Sequence, residues 1–315
     1  MTTPTLTRYY HPEQGNRVGV VLDGIVHDVT EHLPTVGAFL RNTVHHVAEA
    51  ITGLEVLARD SEVTYKATLF DSSPVAFVPH WLAPCDEQDI WAAGVTYERS
   101  RAARQEEAQD GGDIYARVYN AERPELFFKA RGTRVVGPFG GVGIRKDATW
   151  NVPEPELALV INPAMELVGF TVGNDMSSRD IEGANPLYLP QAKVYKASCA
   201  LGPGIVLNPT AEWPQTSIRI KIMRPHPSVP SPSGRGEAEG SGKIMFEGEV
   251  TTARIKRRMD ELISYLGRSS EFEDGVILLT GTGIVPPSDF TLQEGDVTEI
   301  TIDGIGTLTN MVRVV

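Results

Sequence analysis

Apolar and polar residues in this 315-residue chain fall mostly into short strand-like runs separated by turns rich in Gly and Pro. The first, RVGVVLDGIVHDV (residues 17–29), reads as a hairpin turning at Asp23-Gly24, a dipeptide that favours the type I′ turn. VGAFLRNTVHHVAEAITGL (residues 36–54) changes to helical spacing, with Gly53 as its expected close. Regularity breaks in SSPVAFVPHWLAPCDEQDIW, where Pro74, Pro79 and Pro84 mark a boundary. The chain is thus expected to divide into a small N-terminal α/β domain, residues 1–78, and a large domain, residues 79–315.

The large domain opens with DIWAAGVTYERSRAARQEEAQ, a short strand running into a helix from near Tyr97. ELFFKA, RVVG and GVGIRKD follow as short segments, and ELALVIN and ELVGFTVGND flank the tight segment Asn162-Pro163-Ala164. IRIKIM, KIMFEGEV, GVILLTGTGIV and VTEITIDGIGTLTNMVRVV all carry strand patterns. Strands outnumber helices, which predicts an α+β, β-rich fold. The Pro, Ser and Gly content of residues 225–242 predicts a loop between two strands. Gly140, Gly141 and Gly143 lack the following helix and acidic partner that a nucleotide loop needs.

WNVPEPELALV places Glu154 and Glu156 two residues apart, each beside a proline. In extended chain such a pair projects from one face, and Pro155 favours that conformation. A hairpin about residues 162–166 would set Asp175 close to opposite Glu154. Three acids within a few Å raise one another's pKa unless positive charge fills the space. A hard divalent cation, Mg²⁺ or Mn²⁺, suits an oxygen-only set; solvated charges at a strand end are the alternative.

Charge and histidine placement narrow the chemistry further. The balance of 29 Lys and Arg against 41 Asp and Glu gives a formal charge of -12, which would repel a phosphate backbone, so nucleic acid is not an expected partner. No apolar run approaches the roughly 18–20 residues of a membrane helix. Two cysteines, Cys85 and Cys199, and an opening MTTPTLTRYY without a basic or apolar leader predict a cytoplasmic protein with reduced thiols. Six of the seven histidines precede residue 81, and the last is His226. An active site in the large domain therefore has no local imidazole for a zinc site or a Ser-His-Asp triad.

FFKARGTRVVGP, EPELALVI, GFTVGNDMSSRD, LTGTGIVPP and GDVTEITIDGIGTL together resemble, in order and spacing, the fumarylacetoacetate hydrolase superfamily across the whole large domain. The resemblance implies that family's mixed β-sandwich roll, and it implies that Glu154, Glu156 and Asp175 bind the divalent metal. Hydrolases of the superfamily carry N-Y-x-x-H-x-x-E on a lid helix. Here GVTYERSRAAR puts Ser100 at the His position and Ala103 at the Glu position, so the hydrolytic dyad is missing. VYNAERPELFFKA, EPELALVI and EGANPLYLPQAKVY resemble instead the superfamily's 2-keto-3-deoxy-D-arabinonate dehydratases, which form 2,5-dioxopentanoate.

That resemblance implies an α-keto acid substrate and a homo-oligomer, a dimer or tetramer. It also implies roles for Lys193 and Glu125 as the base at C3 and the acid for the departing C4 hydroxyl, in either order. Lys193 could serve as base only with a depressed pKa and is otherwise a fixed cation; Glu125 is otherwise a fourth carboxylate beside the metal. Thr282, in a Gly-flanked turn, could hold the substrate carboxylate or simply cap its turn. Ser100 and Arg101 on the lid helix are the candidates for substrate hydroxyls, with Arg99, Arg101 and Arg104 otherwise a solvated face. Arg179 and Asp180 read as structural, behind an N-cap at Ser177. An acylpyruvate hydrolase or oxaloacetate decarboxylase is the enzyme alternative, and a non-enzymatic scaffold the third reading.

Overall fold

The computed structural model describes residues 3–107, 113–225 and 242–315. The strands of the N-terminal quarter are β1 (Thr5–His11), β2 (Gly15–Leu22), β3 (Ile25–Asp28), β4 (Thr64–Lys66) and β5 (His80–Leu82). Then come β6 (Asp89–Gly94), β7 (Glu125–Arg131), β8 (Gly141–Ile144), β9 (Asn151–Val152), β10 (Pro155–Ile161), β11 (Leu167–Asp175), β12 (Ser177–Ser178) and β13 (Cys199–Leu207). The last five are β14 (Ser217–Pro225), β15 (Gly242–Thr251), β16 (Val276–Leu279), β17 (Val297–Ile302) and β18 (Gly306–Val314). The helices are α1 (Val36–Asn42), α2 (Val47–Arg59), α3 (Glu98–Glu107), α4 (Asp113–Asn120), α5 (Arg179–Ala184), α6 (Leu189–Lys193) and α7 (Met259–Leu266).

Among the described residues the strands form an eleven-stranded sheet, ordered β4-β3-β2-β1-β13-β11-β10-β16-β6-β7 with β5 on β1, and a five-stranded sheet, ordered β15-β14-β17-β18-β8. A ribbon of β9 and β12 completes them. Pairing is antiparallel except at β16–β6 and β18–β8. This is the β-rich α+β architecture the strand patterns predict.

The β10–β11 hairpin lies at the centre, buried along its whole length. Its two faces serve two cores. Leu157, Leu159, Ile161, Phe170 and Val172 pack between the sheets with Ile218, Ile220, Ile222, Ile300 and Leu308. Ala158, Val160 and Val168 pack on the other face with Leu6, Val18, Val20, Phe39 and Leu40. Continuous apolar runs belong to strands covered on both sides, whereas β14 alternates buried Ile with partly exposed Arg219 and Lys221 because only one face is covered.

The turn between β10 and β11 fixes the register. Asn162 Oδ1 accepts hydrogen bonds from the N–H groups of Ala164 (3.0 Å) and Glu166 (2.9 Å). Pro155 then pairs with Asn174 and Glu156 with Gly173, and the Asp175 N–H donates to Glu154 O at 3.0 Å. The expected juxtaposition of Glu154 and Asp175 is therefore present. The Asp23-Gly24 turn also forms as expected, with φ of 51° and 79° between β2 and β3.

Some local expectations differ. The helix expected over 36–54 is broken between α1 and α2, and Gly53 lies inside α2 rather than at its end. Tertiary contacts decide the break: His45 takes a φ of 66° and its N–H donates to Glu166 Oε2 at 2.8 Å. Gly53 faces open space, where glycine costs roughly 1 kcal/mol without ending a helix. RVVG contributes only an isolated bridge from Val136 to Ala200, and in GVILLTGTGIV the strand stops at Leu279. The loop expected over 225–242 falls on residues 226–241, outside the described residues; Pro225 closes β14 and Gly242 opens β15. The first strands extend the large sheet through β1 and β13, where Thr5 pairs with Val206 and Leu6 with Ile205. Among the described residues no helix is long and apolar enough to cross a membrane.

Candidate active site

Carboxylate oxygens of Glu154, Glu156 and Asp175 all lie within 4.8 Å of one another. The three side chains are 4%, 1% and 1% exposed, which excludes the alternative of solvated strand-end charges. Glu154 and Glu156 project together from the start of β10, and Asp175 ends the paired β11. Gly281, just beyond β16, donates its N–H to Glu156 Oε2 at 2.6 Å. That loop needs glycine there: its φ is +88°, and a Cβ would stand 2.1 Å from Thr96 Oγ1. Burial, together with the charges of Asp175 and Glu154, pushes the Glu156 carboxyl well above the usual carboxylate range. Three buried acids converging with oxygen donors alone fit a hard divalent cation.

Four buried cations surround the acids. Lys193 Nζ bridges Glu154 Oε2 (2.9 Å) and Asp175 Oδ2 (3.0 Å). Lys129 Nζ lies 2.5 Å from Asp175 Oδ1 and donates to the carbonyls of Met176 and Lys193. Glu154 Oε1 meets Arg104 Nη2 at 2.9 Å and Arg179 Nη2 at 3.1 Å, while Arg104 Nε reaches Glu182 Oε1 at 2.9 Å. Burial alone would raise the Glu154 pKa, but Lys193, Arg104 and Arg179 outweigh it and hold the carboxylate well below its ordinary range. For Lys193 burial opposes the charge, yet Asp175, Glu154 and Glu182 dominate and hold the ammonium above its ordinary pKa. These carboxylates thus favour Lys193 as a cation, and a base role would require another positive charge to take up the charge of the acids.

The three acids, Lys193, Arg104 and Glu182 line one cavity together with Gly94, Ser100, Glu125, Phe127 and Thr282, while Lys129 and Arg179 stand behind its wall on Asp175 and Glu154. Glu125 opens β7, directly opposite Gly94 of β6, and its Oε2 would lie 2.1 Å from a Cβ at that glycine. Surrounding protein and then the Glu182 charge raise its carboxyl to about 7. Thr282 reaches the cavity wall, but its hydroxyl is engaged within its own turn, accepting from Ile284 N and donating to Ile284 O, both at 3.2 Å. Ser100 also lines the cavity while donating to Tyr97 O at 2.8 Å.

Arg101 is not brought to the cavity. Its guanidinium donates to Gln105 Oε1 and lies over the Tyr119 ring. Residue 104, four positions after Ser100, shares the inward face of α3, whereas 101 is turned about 100° away. Arg104, not Arg101, therefore lines the cavity, and it belongs to no solvated face. Arg179, expected to be structural, is buried and pairs with Glu154 from outside the cavity lining. The residue before α5 is Ser178, which makes no side-chain capping bond, and the Ser177 hydroxyl instead donates to Glu182 Oε2 (3.1 Å). Lys129 and Glu182 were not singled out by the sequence; lysine in the apolar strand ELFFKAR was the available signal for the first.

The family model for the fumarylacetoacetate (FAA) hydrolase C-terminal domain matches residues 89–313. A probable 2-keto-3-deoxyxylonate dehydratase of Haloferax volcanii is 45% identical over 84% of this chain and 85% of its own. A 2-dehydro-3-deoxy-D-arabinonate dehydratase of Saccharolobus solfataricus is 41% identical over 73% of each chain. A solved 2-keto-3-deoxy-D-arabinonate dehydratase complexed with magnesium and 2,5-dioxopentanoate superposes with a TM-score of 0.77, at 31% identity over 99% of both chains. By sequence and by fold, this chain belongs to the fumarylacetoacetate hydrolase family.

Proposed function

We propose that the chain is a Mg²⁺-dependent dehydratase of 2-keto-3-deoxy sugar acids, converting a substrate such as 2-keto-3-deoxy-D-arabinonate to 2,5-dioxopentanoate and water. The observation that carries this reading is the placing of a protonatable Glu125 and a cationic Lys193 on the same cavity as the Glu154, Glu156 and Asp175 cluster. When bound by those three acids, Mg²⁺ or Mn²⁺ would supply Lewis-acid stabilisation of negative charge developing on the keto oxygen.

A C3 proton and the C4 hydroxyl leave as water; transfer of a C5 proton back to C3 then gives the C4–C5 enol, which takes a proton at C4 and gives up its hydroxyl proton to become the aldehyde. Glu125, held near neutrality, supplies the proton that lets the C4 hydroxyl leave as water. Lys193 is the group on the same cavity that accepts the C3 proton once its neighbouring acids are charge-compensated, and until then it orders those acids. Thr282 and Ser100 offer hydroxyls at the wall for substrate oxygens. Hydrolysis of acylpyruvates is not supported, since the α3 face presents Ser100 and Ala103, neither of which can activate water as a base.

The metabolic relatives support a cytoplasmic protein, and the resemblance to the dehydratases implies a homodimer or homotetramer. A substrate panel tests the reading: 2-keto-3-deoxy-D-arabinonate, an acylpyruvate and oxaloacetate, each with Mg²⁺ and a carbonyl trap for the aldehyde. Turnover confined to the keto-deoxy acid is expected; faster acylpyruvate cleavage would contradict it.

A further inference from the structure

Helix α3 has little apolar surface to hold it over the cavity. Of ERSRAARQEE, the residues turned inward are Ser100, Ala103 and Arg104, and the Ser100 hydroxyl is occupied by its own helix turn. Arg104, 7% exposed, supplies two ion pairs to the body of the protein, to Glu154 and to Glu182. Their character differs. Burial of Glu182, on α5, opposes its charge, but Arg104 and Lys193 outweigh it and the Ser177 hydroxyl donates to it; among the described residues it belongs to no metal cluster. Glu154 is one of the three acids that converge as a cation site.

A divalent cation among those acids takes the Glu154 charge that Arg104 now neutralises, and it brings positive charge next to the guanidinium. An α-keto acid bound there brings one carboxylate, which restores the balance at the same place. A planar guanidinium is suited to hold a carboxylate through paired N–H donors, with Glu182 fixing its other edge.

We infer that Arg104 is a specificity-determining residue whose guanidinium passes from Glu154 to the carboxylate of the incoming α-keto acid, so that α3 is seated over the loaded site by the substrate itself. This rests on the keto-acid reading above. The Arg104 contact needs no turnover, so it can be tested with pyruvate as an unreactive probe.

The experiment is calorimetric titration of pyruvate into Mg²⁺-loaded protein, for the parent, R104Q and R104K, with amide hydrogen exchange of the α3 peptide followed in the same samples. Mg²⁺ affinity of each variant serves as the control for an intact site. R104Q is expected to bind Mg²⁺ within about threefold of the parent but pyruvate at least about tenfold more weakly, with R104K recovering part of the loss. Pyruvate is expected to slow α3 exchange in the parent and not in R104Q. Equal pyruvate affinity in parent and R104Q, or pyruvate protection of α3 in R104Q, would overturn the role of Arg104 and leave the keto-acid reading standing. Failure of the Mg²⁺-loaded parent to bind pyruvate would overturn both.

Discussion

Glu125 and Gly94 face each other across the β6–β7 pairing so closely that the carboxylate occupies the space of a side chain at residue 94. Gly94→Ala should keep the fold, because the end of a flexible side chain can shift, while displacing the acid. A loss of about 10²-fold or more in kcat with an unchanged circular dichroism spectrum is expected. The Glu125 carboxyl at about 7, against an ordinary 4.5, also sets a pH dependence. As an acid it is active when protonated, so kcat/KM should fall as pH rises through about 7, and Glu125→Gln should remove that limb; a limb rising through the same pH would make Glu125 the base. The same raised pKa favours the folded state fully below 4.5, and that contribution is lost as pH rises toward 7. Glu156→Gln removes one ligand charge at nearly constant shape, so Mg²⁺ affinity measured by calorimetry should drop by more than about 10²-fold without unfolding. Undiminished Mg²⁺ binding would contradict the three-acid site. At this scale Glu154, Glu156 and Asp175 were legible because prolines and spacing dictate one face. Arg104, Arg179 and Glu182 were not, since nothing local distinguishes a charged residue that meets the site from one that meets water.

The β10–β11 hairpin was legible as an element, register included, because Asn162-Pro163-Ala164 permits few turns and the flanking stretches Leu157–Ile161 and Leu167–Phe170 are apolar. The break between α1 and α2 was not, because it is set by Glu166, more than a hundred residues away, bonding the His45 amide. The loop after β16 shows the cost of holding an element end at the site. Gly281 gives up a side chain so that its N–H can meet Glu156. Gly281→Ala combines a disfavoured φ with overlap on Thr96, so chemical denaturation should show a loss on the order of 2 kcal/mol or more. Wild-type stability in that variant would mean the loop is freer than its contacts imply.

The sheet that carries the site also runs through the N-terminal strands, so the division of the sequence at residues 78 and 79 is crossed by β1–β13 pairing and by a shared core. We propose that the two segments are separate in sequence and joint in stability. A chain of residues 79–315 should be insoluble or molten, having lost Leu6, Val18, Val20 and Phe39 from that core and exposed the edge of β13. A soluble, cooperatively unfolding product would show two independent domains. The buried acids make the whole molecule responsive to its cation as well: at a Mg²⁺ concentration 100 times Kd the fold should gain about 2.7 kcal/mol, seen as a higher Tm that EDTA reverses. The measurement that bears most directly on the account is a proton NMR time course of the purified protein with 2-keto-3-deoxy-D-arabinonate, first with Mg²⁺ and then with EDTA. The account requires the aldehyde of 2,5-dioxopentanoate, or its hydrate, to appear with Mg²⁺ and to stop accumulating with EDTA. An unchanged substrate spectrum with Mg²⁺, or equal turnover in EDTA, would contradict it.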